Sequence, residues 1–201
     1  MAAAVSAVAG VQWAVASRPL AGQSLNGDAA WTWTGPGLFR VAVIDGLGHG
    51  REAALASQTA CAFLDTLPGA PLSELLQGLH EALRRTRGAA LALAEADLLA
   101  NTWHWGGVGN IAGLLLSPQG KTERLICRSG ILGVNHLPGS LIRQAGLAPG
   151  CQVVLHSDGM TDVFPESLSQ EEDLGSLAAR LLGDHARPSD DALVWVGRAY
   201  G

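Results

Sequence analysis

The segment Leu38–Ile44, LFRVAVI, is a nearly continuous apolar run that ends on Asp45-Gly46. Such a run reads as a strand buried on both faces, which fixes it in the interior of a packed domain. Gln152–His156, QVVLH, is a second buried strand, and it leads into Ser157-Asp158-Gly159. The stretches VAVIDGLGHG and VVLHSDGMTD therefore share one design. A rigid strand delivers a carboxylate to a sheet edge, where glycine permits a tight turn and close approach of another backbone.

The rest of the chain can bury such strands. Hydrophobic residues make up 48% and charged residues 15% of 201 residues, enough for a real core in one domain spanning residues 1–201. The net charge of −5 and pI near 5.6 argue against a nucleic-acid partner, which needs a basic patch. Cys61, Cys127 and Cys151 are an odd number, widely separated, and read as small hydrophobes in a reducing compartment. No apolar run is long enough for a transmembrane helix, so no membrane association is expected. Ala14-Val15-Ala16 mimics a signal-cleavage site, but the first basic residue, Arg18, follows the apolar stretch instead of preceding it. An opening strand over Val11–Ser17 and a cytoplasmic location are expected.

Strands are further expected at Ala30–Thr34, Ala89–Glu95, Asn101–Gly106, Ile111–Leu116, Thr122–Cys127 and Ala192–Val196, with Asn101–Gly106 and Ile111–Leu116 joined as a meander. Helical spacing predicts helices over Arg51–Leu67, Leu72–Arg87 and Leu174–Leu182, the second with basic residues in its last turn. Strands, two helices, more strands, a helix and a strand do not alternate as βαβ units should. The order argues for an α+β fold of antiparallel sheets covered by helices. The six tryptophans fall mostly on strands and are expected to fill the space between sheets.

Asp190-Asp191 precedes the last strand, and Asn26-Gly27-Asp28 precedes an early one. Acidic strand-edge residues without a His or Cys partner describe hard oxygen ligation of Mg2+ or Mn2+. Asp-Gly is also a common turn dipeptide, so pattern alone leaves a metal site and a set of turns both open.

Gly146-Leu147-Ala148-Pro149-Gly150 through Ser157-Asp158-Gly159-Met160-Thr161-Asp162 resembles the "L-x-P-G-D … S-D-G-x-x-D" stretch of the metal-dependent protein phosphatases, the protein phosphatase 2C (PP2C) superfamily. Asp45-Gly46-Leu47-Gly48-His49-Gly50, followed by Ala53, Ala54, Ala56 and Ser57, resembles the "D-G-x-G-H-G … A … A-S" signature of its SpoIIE-like branch. Gly106–Asn110 and Asp190-Asp191-Ala192 follow in the family's order, so the resemblance spans roughly residues 10 to 198. It implies a four-layer α-β-β-α sandwich of two mainly antiparallel sheets flanked by helices. It also implies two Mn2+ or Mg2+ ions, with Asp45 bridging both, the Gly46 carbonyl and Asp28 completing one, and Asp158 and Asp190 belonging to the other. Asp191 and Asn110 are implied as outer partners of these ligands. The ions would activate the attacking water, so no protein nucleophile is required.

Three positions depart from the family pattern. Leu47 fills the place of a frequent histidine, and His49, two residues on, is a candidate general acid or a loop-bonding residue. Asn110 stands where relatives have an acidic residue linked to an additional ion. Gly27 replaces a frequent acidic neighbour of Asp28. No arginine stands at the usual distance before Asp28; Arg18 and Arg51 are candidates for phosphate contact, with solvated surface residues as the alternative. His80, His104, His136, His156 and His185 show no ligand spacing and are expected to be structural. Phe164–Asp173, acidic and Pro-containing, is a candidate border of the cleft.

The expected function is that of a serine/threonine phosphoprotein phosphatase. A chain of this length resembles a bare stressosome feedback phosphatase, which implies phosphorylated regulatory proteins as partners, a stressosome scaffold and its antagonist among them. The alternative, motivated by Leu47 and Asn110, is a non-catalytic phosphoprotein-binding module on the same fold.

Overall fold

The strands sort into two antiparallel sheets in the computed structural model, which describes residues 5–8, 10–135 and 142–200. A five-stranded sheet runs in the order β3 (Asp28–Gly35), β4 (Leu38–Gly46), β5 (Ala89–Asp97), β6 (Thr102–Val108) and β9 (Arg143–Gly146). A six-stranded sheet runs β1 (Val5–Val8), β2 (Val11–Arg18), β11 (Ala192–Ala199), β10 (Gln152–His156), β7 (Ala112–Leu116) and β8 (Thr122–Ile126).

The apolar run of β4 is divided by the pleat. Phe39, Val41 and Val43 face the other sheet and meet Leu155 and Trp195 there, beside Trp103 and Trp105 of their own sheet. Ala42 and Ile44 point outward, against helices α1 (Arg51–Thr66) and α2 (Leu72–Leu83). Leu72, Leu75, Leu76, Leu79 and Leu83 form the buried stripe of α2, while α1 approaches the sheet through Ala53, Ala56 and Ala60. Helix α3 (Leu174–His185) covers the opposite outer face, packing Leu177 and Leu181 against Val154, Val194 and Val196. Its start is capped by Asp173, whose carboxylate accepts from the Ser176 N–H at 2.9 Å. The layers are helix, sheet, sheet, helix, as the element order and the resemblance imply. No helix among the described residues is long and apolar enough to cross a membrane.

Three expectations are corrected by the structure. The strands around Gly106–Asn110 do not form a meander: β6 lies in the five-stranded sheet, while β7 pairs with β8 and β10 in the other. The chain crosses between sheets at Gly109, whose φ of 111° turns it and whose N–H donates to the Arg128 carbonyl at 2.7 Å. Helix α2 ends at Leu83 and does not run to Arg87; Thr86 folds back onto the Leu83 carbonyl and its hydroxyl accepts from the Gly88 N–H. Arg84, Arg85 and Arg87 thus lie in the turn beyond the helix. Trp31 and Trp33 face the α1–α2 side and not the space between sheets; Trp31 donates its indole N–H to Asp65 at 2.7 Å. Strands β1 and β9 were not expected, because both are four-residue edge strands with mostly exposed side chains and carry little periodicity.

Arg40 is a polar residue inside the buried run, and its partners explain it. Its guanidinium bonds Glu95 on the neighbouring strand and the Pro68 and Ala70 carbonyls of the α1–α2 connection, at 2.6 Å each, with Trp33 stacked 5.5 Å away. At 3% exposure, it ties the helical layer to the sheet. Arg40→Ala is therefore expected to destabilise the fold by about 3–5 kcal/mol in urea denaturation, because Glu95 and two carbonyls lose their donor together.

Candidate metal centre

Antiparallel pairing decides where the acidic residues meet. Asp28 opens β3 and Asp45 lies near the end of β4, and the ladder sets them directly opposite one another. Asp158 follows β10 and Asp190 precedes β11, so the second sheet delivers its carboxylates to the same end of the sandwich. Asp45, Asp158 and Asp190 line one cavity of about 360 Å3 together with Asn110, Leu47 and Gly48. Asp28 lies buried beside it.

Close backbone packing makes glycine necessary in both Asp-Gly pairs. A side chain at Gly46 would place its first carbon 2.1 Å from the Ala53 carbonyl of α1, and one at Gly159 would lie within bonding distance of the Asp191 carbonyl. These glycines allow two backbones to touch beneath the carboxylates.

The carboxylates strain against one another. Burial pushes the Asp45 carboxyl up to about 9, aided by the charges of Asp28 and Asp158 and by a hydrogen bond shared with Asp158. Burial likewise pushes Asp28 up to about 7; the Ser157 hydroxyl, which donates to it at 2.6 Å, opposes the rise. Asp190 is raised as well, by burial first and then by its acidic neighbours. A cluster that resists ionisation in isolation is one that a divalent cation would stabilise. All donors are oxygens, which suits Mg2+ or Mn2+. As the side chains stand, no three His, Cys, Asp or Glu among the described residues are drawn close enough to hold one ion. Asp28 is turned onto Ser157, and Asp158 accepts from the Asn110 amide at 2.5 Å. The donor set fits the ions once these side chains turn inward.

Around this cluster the remaining expected residues take distinct places. Asp191 is 3% exposed and faces away from the cavity, accepting from the Leu20 N–H at 2.7 Å and the Gly27 N–H at 2.9 Å. It fixes the segment that carries Asp28. His49 is exposed on the loop before α1 and makes no side-chain hydrogen bond among the described residues, so it does not bond the loop. Its nearness to Asp190 is felt as a charge that opposes that residue's rise. Arg18 is not a freely solvated residue: it bonds the Pro19, Asp190 and Arg187 carbonyls and braces the approach to β11.

His80, His156 and His185 bond Gly133, Ser157 and Thr161 respectively, and His104 lies 3.9 Å from Glu95. None of the four lines the cavity. His136 lies outside the described residues. The Phe164–Asp173 segment does not border the cavity; Ser169 and Glu172 bond Gln152 and Arg198, at the far ends of β10 and β11. The sequence reading did not single out Ser157. Fully buried, it donates to Asp28 and accepts from the Leu193 N–H at 3.0 Å, linking the two sheets. The only signal was its place before Asp158.

The protonation of these carboxylates couples to folding with a definite sign. Asp28 and Asp45 bind protons more tightly when folded than when unfolded, so their contribution is complete below the ordinary value of 3.8 and is lost as pH rises through about 7 and 9. In chelator, Tm followed by circular dichroism should fall over that window. Saturating Mg2+ should flatten the fall, because the cation replaces the protons.

Comparison with known proteins gives a consistent set of similarities. The profile of the family "Stage II sporulation protein E (SpoIIE)" matches residues 35–195. The chain is 23% identical over 139 residues to "Phosphoserine phosphatase RsbX" of Bacillus subtilis (strain 168), covering 69% of each. A structure described as "The bacterial stressosome: a modular system that has been adapted to control secondary messenger signaling" is 31% identical, with TM-score 0.88 over 94% of this chain and 99% of that one. "RsbX in complex with magnesium" shares the fold at 20% identity, with TM-score 0.88 over 98% and 99% of the two chains.

Proposed function

Since the chain belongs to the SpoIIE family, we propose that its substrates are phosphorylated regulatory proteins of a bacterial stressosome-type assembly, a scaffold and its antagonist among them. The chain is a PP2C-type protein serine/threonine phosphatase that depends on Mg2+ or Mn2+. We further assign its ligands as Asp45, Asp28 and the Gly46 carbonyl from one sheet, with Asp158 and Asp190 from the other. The reading is carried by one observation: carboxylates from the ends of strands in both sheets converge in a single cavity.

Two divalent ions, when bound, supply hydroxide near neutral pH and polarise the phosphoryl group. The chain's own contribution is placement. Asp45 lies opposite Asp28 and shares a hydrogen bond with Asp158, so it would be the carboxylate common to both ions. Ser157 holds Asp28 and ties it to β11, so the two sheets cannot drift apart at the site. Asp191 fixes the Gly27-Asp28 backbone, and Asn110 orients Asp158 with a neutral donor where a carboxylate would draw a further cation. Preorganisation of this kind would hold the ligands in place before substrate arrives, so that little reorganisation is needed in the reaction itself. His49, exposed beside Asp190, is the candidate proton donor to the departing serine or threonine oxygen. We take residues 1–201 as one catalytic domain acting in the cytoplasm, where its three free cysteines would remain reduced.

The purified protein should release phosphate from a phosphoserine peptide with Mn2+ and stop in chelator. Asp45→Ala or Asp158→Ala should lose more activity than the roughly 10–100-fold expected when an outer partner such as Asn110 is removed. Full activity of either variant without metal, or tight phosphopeptide binding with no turnover at saturating Mn2+, would overturn the reading.

A further inference from the structure

A substrate phosphate is a dianion, and the cavity it must enter is walled by carboxylates. Cations held by Asp45, Asp158 and Asp190 would balance those charges at the floor, but the mouth still needs a positive group that can hold phosphoryl oxygens in one orientation. Arg18, an expected candidate, is engaged by three backbone carbonyls.

The turn between α2 and β5 carries Arg84, Arg85 and Arg87. Arg84 pairs with Glu81 on its own helix at 3.2 Å. Arg87 points elsewhere. Its turn is pinned to the cavity wall, because the Leu47 N–H donates to the Gly88 carbonyl at 3.0 Å. Its guanidinium lies over Gly48: a side-chain carbon built on that glycine would be 3.1 Å from Arg87 Nη1. Leu47 and Gly48 line the same cavity as Asp45, Asp158 and Asp190. Arg87 is exposed and has no ion pair or side-chain hydrogen bond among the described residues, so its donors face no internal acceptor.

We propose that Arg87 is the phosphate-binding cation of this site, gripping the non-bridging oxygens of the phosphomonoester at the cavity mouth. The proposal rests on the phosphatase reading above and names a residue for it. A planar guanidinium meets a phosphate with two parallel N–H donors, which fixes orientation as well as charge, and lysine cannot reproduce that fork. Gly48 has a matching role. It carries φ of 88°, and its missing side chain leaves the space in which the guanidinium lies against the wall. Because the turn preceding β5 holds Arg87, the helical layer contributes directly to substrate binding.

The test uses the full chain with Mg2+ and two probes, inorganic phosphate and p-nitrophenyl phosphate, on wild type, Arg87→Ala, Arg87→Lys and Arg85→Ala. Calorimetric titration of inorganic phosphate should show about 10-fold or greater weakening in Arg87→Ala, the loss typical of one charge-assisted hydrogen bond, with Arg87→Lys between. KM for p-nitrophenyl phosphate should rise in parallel while kcat changes less, and Arg85→Ala should match wild type in both. Equal phosphate affinity in wild type and Arg87→Ala would overturn the proposal, as would equal losses in Arg85→Ala and Arg87→Ala, which mark a general charge effect. Absence of phosphate binding by wild type would overturn it too. Arg87-dependent phosphate binding without hydrolysis by any variant would leave the proposal standing and remove the phosphatase reading instead.

Discussion

Asp28 and Asp45 face each other across neighbouring strands, at a spacing where like charges repel. The geometry of the molecule is arranged around that repulsion. The strands that carry the pair are long and paired along their length, so the backbones that bear the two carboxylates cannot move apart without breaking the ladder. Asp158 and Asp190 then arrive from a different sheet and add charge to the same place. Burial first, and the neighbouring carboxylates after it, raise the proton affinity of Asp28, Asp45 and Asp190, a penalty that bound divalent cations would relieve.

Holding such a cluster together requires contacts that do not depend on the cations. Ser157 binds Asp28 on one side and the backbone of β11 on the other, while Asp191 holds the loop before β3. The glycines at 46 and 159 let α1 and the β11 approach press directly against the two Asp-Gly corners. Arg40 does comparable work away from the site, where it ties the α1–α2 connection to the sheet. Polar groups thus join layers whose contact is otherwise apolar.

Much of this was legible in the chain. Long apolar strands such as β4 and β10 declare themselves because their apolar runs outweigh the few polar residues they carry, Arg40 in one and Gln152 and His156 in the other, and the acidic corners follow them directly. Local signals failed where the deciding partner is distant in sequence. Nothing around Gly106–Asn110 shows that Leu115 belongs beside Val153 while Trp105 packs in the opposite sheet. Arg40 gives no local sign of its role, since its acceptors lie on a turn and on a different strand. Ser157 and Arg87 were missed for the same reason: one acts through Asp28, the other through a glycine on a separate loop. Short edge strands carried no pattern at all.

The pairing of β2 with β11 joins the earliest of the long strands to the last, with Ala14 opposite Val196. A ribosome therefore releases β2 long before its neighbour exists, and the six-stranded sheet closes only after β11 has emerged. Asp190 and Asp191 appear on the chain just ahead of that strand. A nascent or truncated chain lacks both the sheet and part of its acidic cluster. Such non-local closure makes for slow folding and leaves strand edges open for as long as translation lasts. Completion of the fold and competence of the site are, in this topology, the same late event.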